Sequence, residues 1–235
     1  MAVGNWQSAD EAATEIQRLM PTNVVSHVLQ AFTYFERGEN EAGEALLAVL
    51  NNSTESGLRW NSWVAPLMTL IYRITLDPKH LEIATHLAER MRNTSKSTIL
   101  GGDDGFSASR LLMIAAGDSS NVTDAPTPEF IDDTLLVLPG MCSHRLRGLL
   151  DASRNDFDSA ATEFSGARSF LKDAGFKPEL AWSCSEHSEL LLKRDAPGDR
   201  EKATELQDES IAIAQELGMT PLLERVLAQR EILKA

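Results

Sequence analysis

Two cysteine–histidine pairs are the residues of this chain whose types and spacing could bind a metal ion. Cys142 and His144 are two positions apart, and Cys184 and His187 are three apart. Two thiolates and two imidazoles suit a tetrahedral zinc ion. Residues i and i+2 of a helix point apart, so Cys142 and His144 could share an ion only on a non-helical backbone. We therefore interpret the cysteines as small buried thiols and predict neither a metal site nor a cofactor.

Other residues that could do chemistry lack the spacing that a reaction needs. His80 and His86 are six positions apart, whereas metalloprotease helices place their histidines four apart. Asp156 and Asp158 lie at a predicted helix start, where carboxylates favour the helix dipole. Residues 101–106 (GGDDGF) superficially resemble the diguanylate cyclase signature, but no predicted strands surround them. The chain is therefore predicted not to be an enzyme.

The bulk properties exclude several classes of partner. The chain has 235 residues, a net charge of −13 and 43% apolar residues, which is enough for a packed core. Its negative field repels phosphate backbones and anionic membrane surfaces, so direct binding of nucleic acid or membrane is disfavoured. The first twenty residues lack the apolar core of a signal peptide. We predict a soluble, cytoplasmic protein.

A helical repeat is the strongest pattern in the sequence. Small residues open the predicted second helix of each hairpin at Ala9, Gly43, Ala84, Ala160 and Ala203. Five positions earlier lie Gly4, Gly38, Lys79, Asn155 and Gly198, of which all but the lysine tolerate positive φ at a helix end. Twelve positions before an anchor, Ala31 and Gly148 provide the small residue that a close helix crossing requires. The chain is therefore predicted to be an array of helix pairs.

This pattern resembles the tetratricopeptide repeat (TPR). The resemblance is carried by Gly148, Asn155-Asp156-Phe157, Ala160, Phe164 and Ala167, and by Ala31, Tyr34, Gly38 and Leu47. Ala9 and Gly43 are 34 positions apart, the length of that repeat. Residues 140–235, with longer hairpins, look like the C-terminal region of bacterial regulators, namely cyclase-like signalling ATPases and LuxR- or maltose-regulator-type activators. The resemblance implies that this chain is the C-terminal part of such a regulator, with any catalysis upstream.

The predicted fold is all-α: one domain over residues 1–235, a right-handed TPR-like α-solenoid of antiparallel hairpins with a C-terminal capping helix. Its parts are a half repeat (1–22), two hairpins (23–93), an irregular hairpin (94–139), two hairpins (140–217) and the cap (218–235). Helices are predicted at 7–20, 23–37, 40–51, 57–76, 79–93, 106–117, 129–138, 141–154, 157–174, 178–194, 199–217 and 221–234. Pro66 should kink or divide the helix that contains it.

The expected function is a non-catalytic protein–protein interaction or regulatory module. Its partner would be a protein, a peptide or an upstream domain of the same polypeptide. The candidate groove and partner-binding residues are Phe32, Phe35, Trp60, Trp63, Arg145 and Leu149. One alternative is a solenoid that senses a small-molecule effector, which a groove lined by Trp60, Trp63 and Arg145 would favour, whereas a flat acidic groove would favour a protein partner. A helical enzyme is the other alternative, and it requires a pocket of convergent titratable side chains.

Overall fold

The structure, a computed structural model, describes residues 3–21, 23–48, 64–94, 136–138 and 141–234. These residues form ten helices and two short strands, which confirms the predicted all-α class. The elements are α1 (Trp6–Leu19), α2 (Val24–Arg37), α3 (Asn40–Leu47), α4 (Val64–Thr75), α5 (Pro78–Thr94), β1 (Leu136–Leu138), β2 (Met141–Cys142), α6 (Ser143–Ser153), α7 (Phe157–Ala174), α8 (Lys177–Arg194), α9 (Asp199–Leu217) and α10 (Thr220–Lys234). No helix within the described ranges is both long and apolar enough to cross a membrane.

Local sequence signals explain where the helices begin and end. The side chains of Asn5, Asn23 and Asp156 each accept a hydrogen bond from a backbone N–H in the first turn of the following helix. Positive φ occurs at the four positions predicted from the repeat, Gly4, Gly38, Asn155 and Gly198. Because glycine and asparagine adopt this conformation at little cost, the hairpin turns form where the sequence pattern predicts them.

The prediction of a helix over residues 129–138 is wrong for its last three residues. Leu136–Leu138 is a strand that pairs antiparallel with Met141–Cys142, and α6 begins at Ser143 instead of residue 141. A short apolar run does not by itself distinguish a strand from a helix. Pro66 lies in the first turn of α4 as described, where proline is tolerated. The predicted helix at 106–117 and the first part of the one at 57–76 lie outside the described residues.

The chain falls into two compact units, and the described residues 5–94 and 136–234 belong to one each. In the first unit, α2 packs against α1, α3 and α4, and α4 packs against α5. In the second, each helix from α6 to α10 packs against the next. Both units are therefore built largely from helices that pack against their neighbours along the chain. The prediction of a single continuous domain remains a prediction.

Each unit contains a glycine beneath a phenylalanine ring. A Cβ on Gly43 would lie 2.8 Å from the Phe35 ring, and one on Gly148 would lie 3.0 Å from the Phe164 ring. Both separations are shorter than a carbon–carbon contact, so only glycine fits without movement of the ring. Gly148 thus lies directly against a side chain of α7, at a position where the sequence pattern predicts a close helix crossing.

Candidate functional site

The predicted groove residues that the structure describes are all buried. Phe32 and Phe35 in α2 and Leu149 in α6 belong to the core, and Arg145 is only 3% exposed. The prediction that these four residues form an exposed groove is therefore wrong. Aromatic and aliphatic side chains at helical spacing serve the core more often than a surface. Trp60 and Trp63 lie outside the described residues.

Arg145 lies at the centre of a buried ion cluster in the second unit. Its Nε and one terminal nitrogen donate to both carboxylate oxygens of Glu186, at 2.7 and 2.8 Å. Its other terminal nitrogen donates to Glu179 Oε2 at 2.8 Å. Glu179 Oε1 accepts the backbone N–H of Cys142 at 2.9 Å. The cluster therefore fixes the start of α6 against α8, in the manner of a structural core.

The charges of this cluster do not cancel, because one guanidinium faces two carboxylates. Burial raises the pKa of Glu179 to about 7, against the opposing influence of Arg145 and the Cys142 N–H. Burial alone would lower the pKa of Arg145, but Glu179 and Glu186 together raise it above its usual range. The guanidinium thus stays charged, and Glu179 takes up a proton at a higher pH than an ordinary glutamate does.

The middle of α8 is unusually polar for a buried helix. Ser183, Ser185 and His187 are all at most 5% exposed. Their polar atoms Ser183 Oγ, Ser185 Oγ and His187 Nδ1 have no hydrogen-bond partner among the residues that the structure describes. The His187 ring stacks on Phe164, with 5.6 Å between ring centroids. Burial lowers the pKa of His187 to about 4, so the folded protein holds this imidazole neutral at pH 7.

The two cysteine–histidine pairs do not form a common ligand set. Cys142 and Cys184 are free, buried thiols, and burial raises the pKa of each to about 12. The Cys142 Sγ accepts the backbone N–H of Arg145, and His144 Nδ1 lies 2.7 Å from a carboxylate oxygen of Glu163. The cysteines are therefore small core residues, as the sequence predicts.

A different, buried histidine of the first unit, His80, lies close to two partly exposed carboxylates, Glu44 and Asp77. His80 Nε2 lies 2.9 Å from Glu44 Oε1, and its Nδ1 lies 2.8 Å from Thr75 Oγ1. Potential ligand atoms of Glu44, Asp77 and His80 all lie within 4.8 Å of one another. Burial lowers the pKa of His80, although Glu44 and Asp77 oppose this effect. No local sequence pattern reveals this group, because Glu44 is 36 positions from His80 and on another helix.

The first unit also has an open acidic cleft of about 530 Å³ along α1. Its lining residues are Gln7, Asp10, Glu11, Thr14, Glu15 and Arg37. Three carboxylates therefore face one guanidinium. Arg37 donates to Asp10 at 2.9 Å and Arg18 pairs with Glu15 at 2.7 Å, so Glu11, which accepts a hydrogen bond from Gln7, is the lining carboxylate that has no cationic partner among the described residues. The cleft presents net negative charge to solvent.

Apolar side chains are also exposed toward the end of α1, on other sides of the helix from the residues that line the cleft. Ala13 is buried, whereas Ile16 and Leu19 are 38% and 61% exposed. Leu19 is followed by Met20, which is half exposed. The surface of α1 therefore combines acidic groups with exposed apolar groups, a composition typical of protein-binding surfaces.

Comparison with known proteins gives no relative from which a function could be transferred. No protein family, curated protein or solved structure matches this chain. Function must therefore be argued from the described residues themselves.

Proposed function

We propose that this protein is a non-catalytic, TPR-like helical-repeat module that binds a basic segment of a protein partner. The single observation that carries the proposal is the open acidic cleft along α1. A groove with net negative charge attracts lysine- and arginine-rich segments and speeds their association. The exposed side chains of Ile16 and Leu19 lie on other sides of α1 and would be contacted only by a partner that extends around the helix.

Bonds between equivalent helices support the repeat architecture. In the second unit, side chains about forty positions apart join each helix to the next but one: Arg145 to Glu186, Arg168 to Glu209, and Gln229 to Glu189. These bonds link α6 to α8, α7 to α9, and α8 to α10. Such regular contacts are expected when each hairpin stacks on its neighbour, the arrangement of helical-repeat binding proteins.

Both alternative functions receive less support from the described residues. Arg145 cannot line an effector groove, because it is buried and bonded to two carboxylates. The titratable groups that converge in the second unit are sealed from solvent, whereas a catalytic group must reach its substrate. The likeness of residues 140–235 to regulator tails adds the proposal that the module works in the cytoplasm as part of a bacterial signalling or transcription regulator.

A peptide-binding experiment tests the proposed function. Fluorescence polarisation would compare labelled peptides of equal length that are basic, neutral or acidic, each with two leucines, at low and at physiological salt. We expect only the basic peptide to bind, and we expect salt to weaken its binding because the cleft is exposed. Glu11→Lys should weaken binding by about tenfold, because it reverses one carboxylate of the cleft.

Glu224→Lys is the matched control, since it makes the same change of net charge at an exposed position of α10. It should leave the affinity nearly unchanged. Equal weakening by both substitutions would mean that the peptide senses only the total charge of the chain. Equal affinity for all three peptides would rule out the acidic cleft as the binding surface.

A further inference from the structure

Three potential metal ligands come from separate elements of the first unit. Glu44 lies in α3, Asp77 in the turn after α4, and His80 in the first turn of α5. Their ligand atoms lie within 4.8 Å of one another, whereas ligands around a tetrahedral zinc ion lie about 3.4 Å apart. Glu44 and Asp77 are 38% and 41% exposed, so rotation of these two side chains closes the difference.

The surroundings of His80 allow its Nε2 to act as a metal ligand. The Thr75 hydroxyl lies within hydrogen-bond distance of both the Ile71 carbonyl and His80 Nδ1, at 3.0 and 2.8 Å. When the hydroxyl donates to His80 Nδ1, the Nε2–H donates to Glu44. When the hydroxyl donates to the Ile71 carbonyl, its oxygen accepts the N–H of His80 Nδ1. His80 Nε2 is then unprotonated, and its lone pair points toward the Glu44 carboxylate. A cation between Nε2 and the Glu44 carboxylate stabilises that second arrangement.

A positive charge already lies between the two carboxylates. The Lys79 ammonium lies 2.8 Å from Glu44 Oε1 and 3.2 Å from Asp77 Oδ2. The lysine side chain is 49% exposed, so it can rotate into solvent without disturbing the core. The cluster is thus arranged around a cation that can be exchanged for another.

We propose that Glu44, Asp77 and His80 bind a divalent first-row transition-metal ion such as Zn²⁺, which displaces the Lys79 ammonium. On binding, the His80 proton moves from Nε2 to Nδ1 by exchange with water, and the Thr75 hydroxyl turns to Ile71. The imidazole remains neutral and the displaced lysine remains protonated in solvent, so the site gains two positive charges with the metal ion and loses one with the ammonium. Water from the exposed side completes the coordination.

The ligand set also sets the metal preference. An imidazole favours zinc, copper, nickel or iron, whereas Mg²⁺ prefers oxygen ligands alone. The ion would join α3 to the start of α5 and would stabilise the folded unit by mass action. This site does not depend on the partner-binding cleft, and each can fail without the other.

Calorimetric titration of the full chain with Zn²⁺ alone tests the site. We expect one bound ion, a higher midpoint of thermal unfolding with Zn²⁺ than with Mg²⁺, and a loss of affinity of about tenfold or more in Glu44→Gln and Asp77→Asn. These two positions are partly exposed, so the variants should fold, whereas replacement of the buried His80 could unfold the chain. Glu41→Gln, at an exposed position of the same helix, is the control and should bind like the wild type.

Lys79→Gln should bind Zn²⁺ more tightly than the wild type, because no ammonium competes for the carboxylates. No structural role of the two carboxylates predicts that gain. Unchanged affinity in both Glu44→Gln and Asp77→Asn would overturn the proposal. So would a sulfur-to-metal charge-transfer band on binding of Co²⁺, since that band would show that the cysteines hold the ion.

Discussion

The two units each gather two carboxylates around a positive charge, but water reaches only one of the clusters. In the first unit, Glu44, Asp77 and Lys79 are between one third and one half exposed. In the second, Arg145 and its partners Glu179 and Glu186 are at most 7% exposed. Exchange of a proton, an ion or a partner requires access to solvent. The cluster of the first unit can therefore make such exchanges, whereas the chemically similar cluster of the second unit cannot.

The difference separates structural chemistry from functional chemistry in this chain. A sealed ion cluster must be fully bonded, since an unpaired buried charge costs several kcal/mol. An accessible cluster gains little stability from its ion pairs, and its groups remain free to bind something else. The first unit is therefore where we place both the partner-binding cleft and the metal site.

The largest loss of stability is expected when Arg145, the central cation of the sealed cluster, is removed. Arg145→Met leaves two buried carboxylates without their guanidinium, and we expect the free energy of unfolding to fall by about 3–5 kcal/mol. Urea denaturation followed by circular dichroism measures this loss. Lys79→Met is the matched change in the accessible cluster, and it should leave the free energy of unfolding nearly unchanged. Equal losses of stability in the two variants would contradict the inferred difference between the sealed and the accessible cluster.

Lowering the pH should reduce the stability of the folded protein, because the buried His187 of the second unit is held neutral. The pKa of His187 is about 4 in the folded protein, compared with its ordinary value of 6.5. Between these two pH values the unfolded chain therefore binds a proton at this histidine, whereas the folded chain does not. Stability is therefore complete above pH 6.5 and is lost as the pH falls toward 4, by up to about 3 kcal/mol. His187→Gln should remove this part of the pH dependence. The difference between wild type and variant isolates it from the titration of Glu179, which acts in the opposite direction.

A methyl group at the two glycine–phenylalanine contacts should affect both units in the same way. Gly43→Ala and Gly148→Ala each place a carbon 2.8–3.0 Å from a ring, and we expect a loss of about 1–3 kcal/mol in thermal or urea unfolding. A gain in stability would instead follow if the ring moved freely, because alanine is the better helix former. Gly43→Ala should have the larger effect, since its contact is the shorter.

Local features of the fold could be predicted from the sequence, and contacts between distant residues could not. The turn positions at Gly38, Asn155 and Gly198 follow from the conformations that glycine and asparagine tolerate. Burial of Arg145 depends on Glu179 and Glu186, which are 34 and 41 positions away, and no local pattern marks such a pair. The strand Leu136–Leu138 was missed because three apolar residues carry no usable periodicity.

The most direct test of partner binding is a map of backbone amide shifts in an isotope-labelled chain during titration with the basic peptide. If the peptide binds in the cleft, the largest shift changes should fall on α1 and the end of α2, around Glu11 and Arg37. The amides of α8 should remain unchanged. Shift changes centred on the helices of the second unit, with α1 unaffected, would contradict it.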